Sequence, residues 1–554
     1  MSTRDARLSL LAGLYAAVAT GSFYGFSVYS VSLKHQCGLS QHELSNVNTL
    51  PYAIGLVSPI FGAMGRFFGG RLSLFIGGVI VAASMSGQFA LATHCDGAVR
   101  SAAPILLVLA SCGTYTGLQF ITAFAFPTPV LFWPRNRSQV TATAKSFVAT
   151  GGAVIAQTYR LFYGVPTSSP TALNCMIMWA AASFGCATVA ALAMPRPSRI
   201  PTASGSSGEA EEPRRALNFA FGEIALLGLF ATVTPLVADG IAHDGLVFGM
   251  WLLTLLPIPI ILITPSRWRA PSVASASINN PSSSAFTTAL LMPAAIDVPA
   301  AAAPSAAEPC STAAEPTTLI QQSSGGGESS KQYTLCEMLC TLDCWLLWSV
   351  GVVVIGSGSM LATNLAFIIE AADAPTHLVT TTATTFATGN LLGRLLTPVA
   401  SDVLLVNRGW ARPWLLLPVA LTCLLAQLAL LWAGTGKASA ALQQVLLISG
   451  AAANSYAFGA MWPMLVVLSS ELFGRKHLIL NYLFYDGGCA AIGNLLIANL
   501  LPSFVYTHST AGGSGKCIGP KCFAPTHEAI AGMCGMATVS AAVLALRSRG
   551  VYRR

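Results

Sequence analysis

Residues 345–369 read WLLWSVGVVVIGSGSMLATNLAFII, a run without a single charged side chain. At a helical rise of about 1.5 Å per residue, this run is long enough to cross the roughly 30 Å hydrocarbon core of a bilayer. Comparable apolar runs recur along the whole 554-residue chain, which is 54% hydrophobic. Only 9% of its residues are charged, whereas a soluble domain has about 25%. The sequence therefore predicts an all-α polytopic membrane protein.

The apolar runs fall into three groups along the chain. Six runs occupy 1–194, six occupy 341–554, and two more, near 217–238 and 246–264, lie between them as an inserted hairpin. The runs of the two larger groups are 8–32, 46–64, 72–93, 102–126, 140–163 and 172–194, and 345–369, 378–400, 414–434, 441–469, 478–502 and 525–546. Because each run is long enough to span a bilayer, this pattern predicts about 14 spans, arranged as two six-helix bundles and the hairpin.

Two polar segments separate the groups. Residues 195–216 have the Ser, Gly and Glu content of a linker. Residues 265–340 are rich in Ala, Ser, Pro and Gly and show little hydrophobic periodicity. Such a composition buries too little apolar surface to offset the entropy of ordering the chain, so we expect a disordered cytoplasmic linker.

The basic residues predict the orientation of the chain. With a cytoplasmic N-terminus, most of the 29 Lys and Arg residues fall in cytoplasmic segments, as the positive-inside rule requires. Five fall outside: Lys34, Arg100, Lys437, Lys516 and Lys521. Adding or removing one span would invert this asymmetry downstream, so the bias favours fourteen spans and two cytoplasmic termini.

The expected partners follow from the same pattern. The net charge of +8 comes from basic residues in the loops between spans, and their placement reflects the orientation of the chain in the membrane. The sequence shows no basic stripe with interleaved aromatic residues of the kind that binds nucleic acid. The chain is expected to meet the lipid bilayer and a small solute, in a plasma membrane or an internal membrane. Its oligomeric state is open, and a monomer is compatible with the sequence.

Charged residues inside the predicted spans are the first candidates for a site, because burying charge in a bilayer is costly. Asp486 lies about nine residues into its span, roughly 13 Å deep. It could bind a proton during transport, or it could be a structural acid paired with a polar neighbour or a helix-breaking Asp-Gly-Gly. Lys145 and Arg160 could extend to an interface, or one of them could supply positive charge for an anionic substrate.

Uncharged polar residues inside the spans form a second set of candidates. Two six-helix halves joined by a long connection are typical of transporters whose repeats rock around a midplane site. Tyr24 of the first span and Asn364 of the ninth lie at comparable depths, and Gln119 lies in the fourth. Helix packing and interhelical hydrogen bonds remain the alternative role for these residues.

Charges at the cytoplasmic turns are candidates for a gate that breaks when the halves rock. The clearest turn is Glu471-Leu472-Phe473-Gly474-Arg475, where opposite charges meet. Asp402 is the main acidic candidate of the second half, with a solvated interfacial carboxylate as the alternative. The full set of gate candidates is Arg66, Arg71, Arg394, Asp402, Glu471 and Arg475.

Two cysteines in the last outer loop, Cys517 and Cys522, are spaced for a small disulfide loop if that face is oxidising. A metal site is less consistent with the pattern, because two ligands do not complete one. We expect no metal and no cofactor.

Several ordered motifs together resemble the nodulin-like branch of the major facilitator superfamily. The residues that carry the resemblance are Gly21–Phe26, Tyr29, Ser30, Leu33, Lys34, Leu39–Gln41, Arg137, Lys145, Gly151, Gly152, Gly356, Gly358, Asn364, Asn390, Gly393, Arg394, Ser401, Asp402, Ser470–Gly474, Lys476, His477, Asn481, Cys517, Gly519, Cys522 and Phe523. The turn at Gly62–Arg71 also resembles the loop motif of that superfamily, but Arg66 stands where the motif has Asp. The resemblance implies the two-bundle transporter fold and leaves the substrate open.

The expected function is therefore secondary active transport of a small solute by alternating access. Proton coupling through Asp486 and an organic anion as the solute are both open. The alternative is a non-transporting receptor or scaffold of the same fold. A membrane enzyme has least support, since His527-Glu528 lacks the second His of a zinc-protease helix and no phosphate-binding P-loop is found.

Overall fold

The computed structural model describes residues 3–21, 26–134, 136–163, 170–196, 214–237, 240–263, 331–375, 377–509 and 517–552. Within these ranges all regular structure is helical and no strand occurs. Most of the linker 195–216, the linker 265–340 up to residue 330, and Tyr24 lie outside the described residues. The all-helical prediction is confirmed.

The first half of the chain is a helical bundle with one hydrophobic core. Its helices are α1 (Thr3–Thr20), α2 (Phe26–Cys37), α3 (Gln41–Thr49), α4 (Ser58–Thr93), α5 (Gly97–Ala125), α6 (Pro127–Phe132), α7 (Arg137–Tyr163) and α8 (Asn174–Ala193). A 3-10 segment, Leu50–Val57, joins α3 to α4. Gly69 has φ 77° and breaks α4, because only glycine adopts this left-handed region at little cost. The break separates the two predicted spans at 46–64 and 72–93.

A helical hairpin follows and packs on the first half. It consists of α9 (Arg214–Val233), α10 (Ile241–Leu255) and α11 (Pro257–Ile263). The Tyr15 hydroxyl of α1 donates a hydrogen bond to the Thr254 carbonyl at 2.8 Å. The indole N–H of Trp251 donates to the hydroxyl of Thr158 on α7 at 2.8 Å. These bonds fasten α10 to the first bundle.

The second half forms a separate core. Its helices are α12 (Leu335–Leu339), α13 (Leu342–Ala371), α14 (His377–Arg408), α15 (Leu416–Gly434), α16 (Ala440–Leu472), α17 (Leu478–Ile492), α18 (Leu501–Ser509), α19 (Ala524–Arg547) and α20 (Arg549–Tyr552). A π-helical segment, Gly493–Leu500, joins α17 to α18. The core of the first half extends to Leu391, Tyr482 and Leu483 of the second half, so the two bundles share an apolar seam.

Ten helical stretches of the described chain are long and apolar enough to cross a membrane. Helices α1 and α7 cover two further predicted spans but carry more polar residues, and α10 is shorter. The multi-pass helical architecture is therefore confirmed. The count of fourteen spans, the inserted hairpin as a membrane element and the domain boundaries remain predictions.

The bundle has two distinct ends. Disulfides join Cys37 to Cys95 and Cys517 to Cys522 at one end, which we call the disulfide end. The backbone N–H of Gly519 bonds the Ala371 carbonyl, so this end lies at the last turn of α13. At the first turn of α13, Arg547 pairs with Asp343 at 2.5 Å. The start of α15, which closely follows Arg412, lies at this opposite end as well. We call it the Arg412 end.

Backbones of the two halves come into direct contact at the seam. A Cβ atom built on Gly55 would lie 2.3 Å from the carbonyl oxygen of Gly487, and a Cβ atom on Gly487 would meet the Ser58 hydroxyl. Ser58 itself donates a hydrogen bond to the Leu483 carbonyl at 2.6 Å. Glycine at 55 and 487 therefore allows the 3-10 segment and α17 to approach this closely.

Substituting Gly487→Ala should loosen the closed seam, because the added methyl group meets Ser58 and the Gly55 backbone. Overpacking of this kind costs about 1–3 kcal/mol. The thermal unfolding midpoint of the purified protein in detergent should fall. Gly185→Ala on α8 is the matched control, since its Cβ would meet open space, and equal midpoints for both variants would contradict the close approach.

Candidate functional site

A buried ion pair joins the two halves within the membrane region. The Lys145 ammonium on α7 donates a hydrogen bond to Asp486 Oδ1 on α17 at 2.8 Å. The two residues are 4% and 7% exposed. Each lies eight residues beyond the first residue of its helix, which places both roughly 12 Å along it from the Arg412 end. Lys145 therefore reaches an acid of the other half and not the membrane surface.

Aromatic rings enclose the ammonium of Lys145. Its Nζ atom lies 3.9 Å from the ring centroid of Phe126, 5.1 Å from Trp462 and 5.3 Å from Tyr482. Rings at such distances attract a cation through their quadrupole. The Tyr482 hydroxyl also donates a short hydrogen bond to Asp486 Oδ1. Ring faces and a carboxylate thus replace water around the charge.

A second cation, Arg394 of α14, lies beside this pair. Its Nη1 donates to the Lys145 carbonyl at 2.5 Å and its Nε donates to Asn390 Oδ1 at 3.0 Å. Arg394 is 1% exposed, so this predicted gate residue lies inside the bundle. We call Lys145, Arg394, Tyr482 and Asp486 the central charge cluster. It contains two cationic side chains and one carboxylate.

A network of charges closes the Arg412 end. The Arg412 guanidinium, 5% exposed, pairs with Glu471 at 2.9 Å and with Asp402 at 2.5 Å. It also donates to the hydroxyl groups of Ser401 and Ser138, each at 2.7 Å. Ser138 belongs to α7 of the first half, whereas the other partners belong to the second. Arg412 therefore holds both halves together at this end.

Glu471 is shared by three partners in this network. Besides Arg412, it accepts a hydrogen bond from the Tyr552 hydroxyl at 2.6 Å and pairs with Arg137 of the first half at 3.4 Å. The predicted gate residues Asp402 and Glu471 are thus brought together by a residue that the sequence analysis did not select. Because the network includes Arg137 and Ser138, opening this end requires these contacts to break.

The disulfide end is bridged by uncharged groups. Ser45 donates to Asn499 Oδ1 at 2.9 Å, and Asn499 Nδ2 donates to the Thr49 hydroxyl at 2.8 Å. Ser45 and Thr49 lie on α3, while Asn499 lies in the π-helical segment of the second half. The halves therefore touch on both sides of the central charge cluster.

Three predicted gate residues lie outside the Arg412 network. Arg71 donates to the Met194 carbonyl at 2.7 Å, which is a contact within the first half. Arg66 is exposed and interacts electrostatically with His477 across the seam. Arg475 is exposed. The charged neighbour with which it interacts electrostatically is Arg137, and two like charges repel each other.

Three other substrate candidates, Arg160, Asn364 and Gln119, lie on α7, α13 and α5. Arg160 donates to the Val237 carbonyl of the hairpin at 3.1 Å. Asn364 donates to the carbonyls of Met360 and Ala498 at 3.0 and 3.3 Å, tying α13 to the π-helical segment. Gln119 is 3% exposed, and its Oε1 atom has no hydrogen-bond partner in the described structure.

Three further features of the described residues were compared with the central charge cluster: a cleft, a disulfide and possible metal ligands. A small cleft lies in the first half, between residues such as Asn48, Gln88 and Thr114, and the central charge cluster does not line it. Cys517 and Cys522 are bonded to each other. Across the described ranges, no group of three or more His, Cys, Asp or Glu side chains is arranged to hold a metal ion.

Sequence reasoning missed three features that had readable signals. Arg412 lies just before the apolar run 414–434, a position at which an arginine side chain can reach the membrane interface and pair with acids there. Glu223 is the single acid of a 20-residue apolar helix, and such a lone acid is itself a signal of a buried polar site. Cys37 and Cys95 border predicted outer loops, where an oxidising face would pair them.

Comparison with known families identifies the first half of the chain. A family model described as Nodulin-like matches residues 7–264. These residues resemble the Nodulin-like family. No curated protein sequence matches the chain. The predicted family is confirmed, and the match covers the first bundle together with the hairpin.

Solved structures share the fold of this chain. The proton:xylose symporter XylE of the major facilitator superfamily, bound to 6-bromo-6-deoxy-D-glucose, is 11% identical with a TM-score of 0.53, over 96% of this chain and 94% of that one. A partially occluded inward-open structure of the xylose transporter XylE from E. coli is 12% identical with a TM-score of 0.50, over 97% and 96%. The chain therefore has the major facilitator fold. The match to the family model and the shared fold are the two similarities that these comparisons show.

Replacing Arg412 with Gln should open the Arg412 end, because the variant loses both carboxylate partners of a buried guanidinium. Breaking such a pair costs about 3–5 kcal/mol. Backbone amides in the first turn of α7 and in α20 should exchange hydrogen for deuterium faster than in the unmodified protein. Arg408→Gln, at an exposed position of α14, should not change the exchange. Equal exchange in both variants would contradict the clamp.

Proposed function

We propose that this protein is a secondary active transporter that moves a small solute by alternating access between its two halves. The observation that carries the proposal is the Lys145–Asp486 ion pair, which joins the halves inside the membrane region. In such a cycle the halves rock about a central site, and contacts at one end open while those at the other end close. The Arg412 network and the Ser45, Thr49 and Asn499 bridges are suited to be these contacts.

The ion pair couples the position of the halves to ligand binding. Removing one partner of a buried pair leaves the other charge uncompensated and costs about 3–5 kcal/mol. When α7 and α17 separate, Lys145 and Asp486 each need a replacement partner. A proton neutralises Asp486, and an anionic group of the solute replaces it at Lys145. Separation of the halves is therefore inexpensive only when these ligands are bound.

The charge balance of the cluster favours an anionic solute. Lys145 and Arg394 provide two cationic side chains against the single carboxylate of Asp486. Once Asp486 is protonated, the cluster attracts a carboxylate-bearing solute more strongly. An organic anion moving together with a proton is thus the substrate class that we propose. The similar solved structure of a proton:xylose symporter shows that a chain of this fold couples a solute to protons.

Transport should depend on both members of the ion pair. In proteoliposomes, a panel of small carboxylates, amino acids and metal complexes would be tested for uptake with and without an inward proton gradient. Asp486→Asn removes the titrating group and Lys145→Gln removes the cation, so each should abolish gradient-stimulated uptake of the transported anion. Lys437→Gln, at an exposed loop position, is the matched control and should transport normally.

The outcomes separate transporter from scaffold. Uptake that survives both Asp486→Asn and Lys145→Gln in folded protein would remove the cluster from the mechanism. Absence of flux for every solute in unmodified protein would favour the receptor or scaffold role. A double variant, Lys145→Asp with Asp486→Lys, restores the attraction between α7 and α17. If it recovers thermal stability without uptake, the pair has a role in transport beyond holding the halves together.

We further propose that the chain has fourteen spans, of which the hairpin is an inserted pair, and that both termini lie in the cytoplasm. The proposed domain divisions of the chain are 1–194, 195–216, 217–264, 265–340 and 341–554. In this arrangement the Arg412 end is cytoplasmic and both disulfides lie on the outer face. Disulfides persist in oxidising compartments, and this favours the same orientation.

The orientation predicts where thiols react. Cys336 and Cys340 are exposed free cysteines close to the start of α13, so a membrane-impermeant maleimide should label them in sealed cells only after permeabilisation. Reduction from outside should make Cys517 and Cys522 reactive without permeabilisation. Labelling of Cys336 in sealed cells would show that the proposed orientation is inverted.

A further inference from the structure

Glu223 is an acid in the middle of an otherwise apolar helix face. Helix α9 reads RRALNFAFGEIALLGLFATV, and Glu223 is its single acidic residue. Only 3% of Glu223 is exposed. It belongs to a set of buried positions at helical spacing, which are Ala216, Leu217, Ala220, Glu223, Ile224, Leu227 and Gly228. The carboxyl group therefore points toward the bundle and not toward lipid.

Both carboxyl oxygens of Glu223 are buried, and neither has a hydrogen-bond partner in the described structure. Its apolar neighbours along the same face, Ala220, Ile224 and Leu227, belong to the core of the first half. An ionised carboxylate in this setting would be costly, because a buried charge in a membrane helix needs a partner charge, hydrogen bonds or water. In this conformer the group is stable only when neutral.

Ionisable groups of the helices packed around α9 make their hydrogen bonds and ion pairs with residues other than Glu223. On α1, the Tyr15 hydroxyl interacts electrostatically with Glu223 and with Cys186 of α8, but it donates its hydrogen bond to Thr254. On α7, Lys145 pairs with Asp486, Arg137 with Glu471, and Arg160 bonds to the hairpin. On α14, Arg394 binds carbonyl oxygens and Asp402 pairs with Arg412. On α10, His243 contacts Gln157 and Asp244.

The ligand that fits this carboxyl group is a proton. Calcium requires six to eight oxygen ligands, and magnesium requires a near-octahedral set of oxygens. Glu223 supplies two oxygen atoms in an apolar setting. A proton needs no further ligand, and its addition converts the carboxylate and one H⁺ into a neutral carboxylic acid.

Helix α9 bridges the seam between the halves. Asn218 accepts a hydrogen bond from Gln139 of α7 at 3.0 Å. On the other side, Thr388 of α14 donates to Thr232 at 3.2 Å. Gly228 lies against Leu391 of α14, which would be 1.9 Å from a Cβ atom at that position. Any rocking of α14 relative to α7 must therefore change the surroundings of Glu223.

We propose that Glu223 is a proton-binding site of this protein, separate from Asp486, which holds its proton while the seam is closed and releases it when the seam opens to water. The Asp486 carboxylate already has Lys145 as its counter-ion, whereas Glu223 has none in the described structure. The proposal that Glu223 binds a proton depends only on the burial of its carboxyl group and on its lack of hydrogen-bond partners in the described structure. Its part in the transport cycle rests on the proposed function.

Infrared difference spectroscopy tests protonation without any solute. The purified protein in liposomes would be compared with Glu223→Gln across a series from acidic to alkaline pH. The unmodified protein should show at neutral pH the C=O stretching band of a protonated carboxylic acid, and this band should be missing from Glu223→Gln. At alkaline pH it should be lost as the seam opens. Identical spectra at neutral pH would mean that Glu223 is ionised, and the proposal would be wrong.

Glu337→Gln is the matched control. Glu337 is an exposed acid of α12, where hydrogen bonds from the backbone and hydroxyl of Thr334 hold the pKa of its carboxyl below the usual value. The substitution keeps an acceptor for this capping box. It should leave the neutral-pH band unchanged, because Glu337 carries no proton there.

Two further readouts test release of the proton. Raising the pH should lower the protection factors for hydrogen exchange, corrected for the intrinsic rise of amide exchange with pH, along α9 and the facing part of α14 in the unmodified protein. Glu223→Gln should abolish this loss of protection. If solute transport is established, Glu223→Gln should lose proton-driven accumulation while keeping solute exchange at equilibrium. Proton-driven accumulation that survives, or a pH response that survives, would overturn the carrier role. A protein that transports no solute can still show the infrared band of protonated Glu223 and the pH response of hydrogen exchange. Failure of the proposed transport function can therefore be told apart from failure of the proton-binding proposal.

Discussion

The contact on which the rest of the structure depends is a lysine and an aspartate that neutralise each other inside the bilayer. Neither Lys145 nor Asp486 could remain charged in its own half without an opposite charge, because a lone ion in hydrocarbon is costly. The pair lies across the seam, so each bundle supplies what the other lacks. The closed arrangement of the halves is therefore favoured by electrostatics as well as by apolar packing.

The other features of the seam allow this pair to form. The glycines at 55 and 487 let the 3-10 segment and α17 approach at backbone distance, which brings α17 to the depth of Lys145. Arg412 gathers two carboxylates and a serine of α7 at one end, and Asn499 binds α3 at the other. The conformer is consequently held at both ends, and a cycle requires that these two sets of contacts break in turn.

The hairpin places a second carboxyl group at the same seam in a different electrostatic setting. Asp486 has a lysine, a tyrosine hydroxyl and a nearby arginine around it, whereas Glu223 faces apolar side chains. Two acids of similar chemistry therefore lie in one closed conformer, one with a counter-ion and the other, in our proposal, with a proton. The inserted helix α9 contacts both α7 and α14, so movement of the halves reaches Glu223 as well as the central charge cluster.

The sequence by itself determined the membrane class, the positions of most helices and the family resemblance of the first half. These properties are local: an apolar run such as 345–369 must be helical in a bilayer to satisfy its own backbone hydrogen bonds, and the motifs of the first half match the Nodulin-like family over 7–264. Asp486 could be selected in the same way, because an acid inside an apolar run is unusual wherever it occurs. The acidic gate candidates Asp402 and Glu471 likewise stood out as charges at turns.

Only the tertiary structure decided which residues meet. Lys145 and Asp486 are 341 positions apart, and no local pattern specifies that α7 docks on α17. Arg412 became the centre of a network, Arg394 moved from a turn to the buried cluster, and Cys37 found Cys95, all through the docking of separate helices. Charge pairing in a membrane depends on which helix faces supply a partner, and that is set by the packing of the two bundles and not by the sequence around any one residue.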